Sequence, residues 1–179
     1  MLNTEESVLV LVDIQTRLVE IVDRQELVVP NILRLIKGCQ ALGVPILPML
    51  QSPEKLGPMP SELADALSDI PQIPKAVFSA LREPAFLLAL RRTGRNQVLL
   101  TGIEAHVCVL QTGLDLLDAG YQVHVLSDGV FSRMPENQQL ALMRLHDAGA
   151  TVTSVEIVLF EMMRTSTHPQ FRTISRLIK

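Results

Sequence analysis

The chain has 179 residues, 47% of them hydrophobic but only 3% aromatic and none of them Trp, so a single domain (1–179) must build its core from aliphatic side chains. At this length one core buries roughly 70% of the surface that the unfolded chain exposes. A net charge of −3 and a pI near 5.8 supply no basic stripe for nucleic acid, and no apolar run nears the ~20 residues of a membrane span.

The two cysteines, Cys39 and Cys108, lie far apart and form no CxxC pair, which argues against a disulfide framework or a zinc ribbon. The opening "MLNTEESVLV" lacks the basic start of a signal peptide. A soluble, cytoplasmic protein is expected, with no nucleic-acid or membrane partner.

In chain order, "SVLVLV" (7–12) is a fully apolar strand that ends at Asp13. Residues 25–42 place Val28, Ile32, Leu35, Ile36 and Leu42 on one helical face, and Gly43 closes the helix. "VPILPML" (44–50) reads as a second strand, although proline is unfavourable there. "QSPEKLGPMP" is a proline-rich loop, followed by a short helix over 61–67 and a short extended piece within 73–80. A helix over 84–94 starts at Pro84 and stops at Gly94; "RRTGR" (91–95) reads as its solvated end. A strand over 97–102, a helix over 108–120, a strand over 121–129 and a helix over 135–149 follow. "ATVTSVEIVL" (150–159) reads as a last strand running towards the final helical segments.

Strands alternating with helices imply right-handed crossovers. The fold class is therefore α/β: a single-domain, open, mostly parallel sheet with helices on both faces, Rossmann-like in plan. Ligands in such sheets sit at the carboxyl ends of the strands, where strand order reverses. Asp13 and the segment 102–108 occupy such positions.

Asp13 can hold a structural hydrogen bond, or it can shuttle a proton from a site partly shielded from water. Gln15 is either its polar neighbour or a loop residue. Cys108 opens the helix after a strand, where unpaired N–H groups and the helix dipole favour a thiolate and lower its pKa. Those N–H groups could also hold an oxyanion. Free cysteine is just as commonly inert core, so position alone leaves Cys108 open between the two. Cys39, within an amphipathic helix, reads as core. Lys75 stands between apolar residues, where an ammonium can stabilise a thiolate or oxyanion, although surface exposure is the ordinary fate of lysine. His106 is a nearby candidate partner for Cys108, but adjacent positions at a helix start point in different directions. His124, His146 and His168 have no partner at metal-ligand spacing. No G-x-G-x-x-G or Walker A sequence appears.

"VLVLVDIQTRLVEIV" and "TGIEAHVCVLQTGLDLLDAGYQVHVLSDGVFSR" together resemble the isochorismatase-like cysteine hydrolases, over about residues 7–158. The wording "GIEAHVC" resembles the isochorismatase-domain-containing branch. The resemblance implies a catalytic triad of Asp13, Lys75 and Cys108, with an oxyanion hole from the backbone N–H groups of Glu104 and Cys108. It also implies a cis peptide between Ile103 and Glu104, and supporting places for Gln15 and Asp128. Nicotinamidases of this superfamily bind a metal through Asp and His; "PMLQSPEKLGPMP" has neither, so no metal and no cofactor are expected. Isochorismate-cleaving relatives do not use a cysteine nucleophile, which sets Cys108 apart from that chemistry. The implied function is hydrolysis of a small amide or related C–N bond through a covalent acyl-cysteine, in a homo-oligomer. The alternative is a catalytically silent, oligomeric interaction protein of the same fold.

Overall fold

The apolar run Ser7–Val12 forms strand β1 and is buried along its whole length. Its pleat sends Leu9 and Leu11 into one core cluster and Val8, Val10 and Val12 into another on the opposite face. That two-sided burial is why the run is continuously apolar rather than alternating. The computed structural model describes residues 1–179.

After β1 come α1 (Thr16–Val19), α2 (Gln25–Ala41), β2 (Ile46–Gln51), α3 (Pro53–Leu56), α4 (Ser61–Ala66) and β3 (Ile73–Lys75). The second half holds α5 (Pro84–Thr93), β4 (Gln97–Ile103), α6 (Leu110–Asp118), β5 (Gln122–Phe131), α7 (Pro135–Asp147), β6 (Thr151–Thr153), α8 (Val155–Met163) and α9 (Phe171–Ile178). The six strands form one parallel sheet in the order β3-β2-β1-β4-β5-β6. One core cluster packs it against α2, α8 and α9, the other against α5, α6 and α7. Strand order reverses between β1 and β4, which opens a crevice at their carboxyl ends. No helix is long and apolar enough to cross a membrane.

Proline is tolerated in β2 because of where the edge strand begins. Ser52 N–H donates to the Lys75 carbonyl at 2.9 Å, so the even-numbered residues of β2 face β3. Pairing with β3 starts only at Met49–Ile73, so Pro48 lies before it and withdraws no ladder bond.

The carboxyl-terminal part differs most from the expected pattern. Only Thr151–Thr153 of the expected strand 150–159 is extended, and Val155–Met163 is helical. Ser154 caps that helix through its hydroxyl, which accepts from Ile157 N–H at 3.3 Å. Asp128 adds a second cap across the sheet, accepting from Val155 N–H at 2.9 Å. Val155, Val158, Leu159, Met162 and Met163 then form a buried helical stripe. The "proline-rich loop" also contains a helical turn, α3.

Candidate active site

The chain leaves β1 through Asp13. Its N–H still pairs with the Met49 carbonyl at 3.1 Å, while a φ of +56° turns the backbone out of the strand. Aspartate enters this left-handed region more readily than most residues. Beside it, Gly102 of β4 is in register with Val12 and has φ +144°. A Cβ there would stand 2.1 Å from the Val12 carbonyl oxygen, so glycine is what lets the two strand ends approach.

The next bond, Ile103–Glu104, is a cis peptide. The chain then makes a single π-helical turn, Ala105–Val109, before α6 begins; such turns are frequent at functional sites. Cys108 therefore lies inside this turn and does not open the helix. The expected lowering of its pKa is reversed as well. Burial pushes the thiol up to about 12, the Asp13 charge adds to the rise, and Lys75 opposes it. Cys108 rests as a thiol.

Lys75 ends β3 with its side chain wholly buried. Its ammonium donates three hydrogen bonds, to Asp13 Oδ2 at 2.7 Å, Gln51 Oε1 at 2.6 Å and the Val77 carbonyl at 3.2 Å. All three N–H donors are thereby used. Asp13 is equally buried, and its Oδ1 accepts no hydrogen bond. Burial raises the pKa of Asp13 above its ordinary value, against the attraction and hydrogen bonding of Lys75 and a further hydrogen-bonding influence of Cys108. A buried ion pair is weak evidence for stability, because apolar replacements do as well or better. Asp13 Oδ1 is an unused proton acceptor within the influence of a buried thiol.

Gln51, at the carboxyl end of β2, holds this arrangement together and escaped notice in the sequence. It presents Oε1 to Lys75 and donates from Nε2 to the Ala76 carbonyl at 2.9 Å. Gln15 is fully buried and braces Gln51. Its Oε1 accepts from Gln51 N–H at 2.8 Å, and its Nε2 donates to the carbonyls of Gln51 (3.1 Å) and Gly57 (2.7 Å). The rule that singled out Asp13, a polar residue at a strand's carboxyl end, would also have found Gln51.

A cavity of about 240 Å³ opens over these groups, with Asp13, Gln51, Glu104, Cys108 and Arg133 as its polar lining. Sequence reasoning valued Glu104 for its backbone, but its carboxylate is engaged too. Arg133 Nε donates to Oε1 at 2.6 Å, and His106 Nδ1 lies 3.1 Å from Oε2 and 3.0 Å from Ser132 Oγ. His106 thus hydrogen-bonds Ser132 rather than Cys108, and the Glu104 Oε2 beside it accepts no hydrogen bond. Asp128 lies within β5, away from this cavity, and caps α8. No three His, Cys, Asp or Glu side chains converge as a ligand set. A larger depression of about 400 Å³ lies at the opposite end of the sheet, by the amino ends of β4 and β5, beside Arg91, Arg95 and Tyr121. It contains none of Asp13, Lys75 and Cys108, and Arg95 braces the carbonyls of Thr4 and Ser7 there.

An open parallel α/β sheet with a buried Asp–Lys pair and a cysteine at its switch point defines a narrow class of protein. The isochorismatase domain model matches residues 7–157, and the chain belongs to the isochorismatase family of hydrolases. It is 42% identical over 149 residues to the secreted isochorismatase effector Isc1 of Phytophthora sojae, covering 81% of this chain and 71% of that one. It is 38% identical over 178 residues to isochorismatase domain-containing protein 2A of Mus musculus, covering 98% and 84%. Among solved structures, MAR1 ribonuclease from Caenorhabditis elegans superposes with a TM-score of 0.93 at 32% identity, covering 99% of this chain and 91% of that one.

Proposed function

We propose that the chain is a metal-independent cysteine hydrolase that cleaves a small amide or related C–N bond. The observation that carries this reading is the unpaired Asp13 Oδ1, held by Lys75 on its other oxygen in the cavity that contains Cys108.

In the first half-reaction the Cys108 thiol proton passes to Asp13 Oδ1 as Sγ attacks the substrate carbonyl carbon. Backbone N–H groups of Glu104 and Cys108 hold the resulting oxyanion. Asp13 then gives the proton to the leaving nitrogen, the C–N bond breaks, and an acyl-cysteine thioester remains. In the second half, Asp13 takes a proton from water, the hydroxide attacks the thioester carbon, and the proton returns to Sγ as the acid departs. Lys75 orients Asp13 and opposes the burial-driven rise of its pKa between these transfers. A thiol that rests near 12 is compatible with this sequence, because deprotonation is coupled to attack.

The resting thiol is also what favours the alternative, a catalytically silent interaction protein. One experiment separates them: ammonia release from a panel of small amides, with intact-mass measurement of the protein. Turnover with an acyl adduct on Cys108, lost in Cys108→Ala, is expected. No cleavage and no adduct across the panel would remove the hydrolase reading. Isochorismate and RNA, substrates suggested by the names of two relatives, belong in the same panel.

We also propose a homo-oligomer. Leu140 and Met143 on α7 and Ile157 on α8 are more than half exposed and flank the short edge strand β6, which suits burial against a second copy. Light scattering after size exclusion, giving a mass above the monomer's 19.8 kDa, is the check.

A further inference from the structure

The cavity contains one cation whose donors are still available. Lys75, the other cation of the site, has all three N–H donors committed. Arg133 uses only Nε, in its 2.6 Å bond to Glu104 Oε1, and its two terminal NH₂ groups have no partner within the protein. Its side chain is 58% exposed, so the free end of the guanidinium is open to a ligand at the cavity mouth. Glu104 meets only Nε through its Oε1, which fixes the orientation of the guanidinium plane without occupying its terminal fork. The charge of Asp13 is balanced by Lys75 at 2.7 Å. The remaining wall is apolar, from Leu18, Ile21, Leu56, Phe78, Ile103 and Val107. At about 240 Å³, the space falls below the ~300–1,000 Å³ of drug-sized ligand sites.

We propose that Arg133 is a specificity-determining residue that binds a carboxylate on the substrate. The substrate class is then a small amide with a short apolar spacer, its scissile carbonyl at Cys108 and a carboxylate at its far end. The inference rests on the amide reading above for the identity of the scissile group. Planar, two-pronged N–H donation matches the two oxygens of a carboxylate, and a lysine cannot reproduce it.

The test is calorimetric binding to Cys108→Ala, which cannot turn the ligand over. Three isosteric pairs serve as probes, each a carboxylate and its neutral diamide: succinamate and succinamide, glutaramate and glutaramide, adipamate and adipamide. At least one carboxylate member is expected to bind about tenfold or more tighter than its neutral partner. Adding Arg133→Gln brings the pair to within about twofold, and Arg133→Lys recovers only part of the preference. Equal binding in all three pairs, no binding of any probe, or a preference that survives Arg133→Gln overturns the assignment. Ammonia release by the wild-type protein is read separately. Carboxylate preference without ammonia release removes the amide reading alone, and ammonia release without preference removes the Arg133 assignment alone.

Discussion

Cys39 and Cys108 are both buried, on opposite faces of one sheet. Burial pushes both thiols up to about 12. Burial is the whole cause for Cys39, which packs inside α2 with no ionisable group near enough to act on it. Cys108 has Asp13 and Lys75 acting on it as well, and it lines a cavity. What separates a packing residue from a candidate nucleophile here is therefore the company at the mouth of the sheet rather than acidity at rest.

The largest effect is expected from removing Cys108. Cys108→Ala should lower turnover by roughly 10⁴-fold or more while the circular-dichroism spectrum is kept; residual activity near wild type would erase the distinction between the two cysteines. Lys75→Met comes next. Lys75 holds the Asp13 pKa down against burial, so its loss moves that pKa further up. Asp13 must be ionised to accept the thiol proton, so the acidic limb of the kcat/KM profile should move to higher pH, with neutral-pH activity down about 10²-fold. Breaking the buried pair should also cost ~3–5 kcal/mol in urea unfolding. An unmoved limb would detach Lys75 from the chemistry. The smallest effect belongs to Cys39→Ala: activity within about twofold of wild type, and a stability loss of ~1–2 kcal/mol from the small cavity left behind.

Much of this was legible in the chain itself. Fully apolar β1 announced a strand covered on both faces, and Asp13 at its end announced a crevice residue. The apolar flanks of Lys75 made it a candidate, but only the resemblance joined it to Asp13, because nothing in "IPKAVFSA" says that its ammonium ends 2.7 Å from that carboxylate. Gln51 is hidden by its neighbours, since the apolar run stops at Leu50 and the prolines beyond it read as loop. Two features needed contacts from distant parts of the chain. The helix at Val155 depends partly on Asp128, 27 residues away, and the Glu104 carboxylate gains its role from Arg133, 29 residues away. The direction of the thiol pKa was missed because neither the burial of Cys108 nor the nearness of the Asp13 charge can be read from position along the chain.

The coupling of Asp13 to Cys108 is the central claim, and one rate tests it most directly. Ammonia release at neutral pH should fall about 10²-fold or more in Asp13→Asn, as expected when a positioned base is lost, even though removing the Asp13 charge takes away one of the influences that raise the Cys108 pKa. An unchanged rate would show that the thiol reacts without the carboxylate, and would contradict the account.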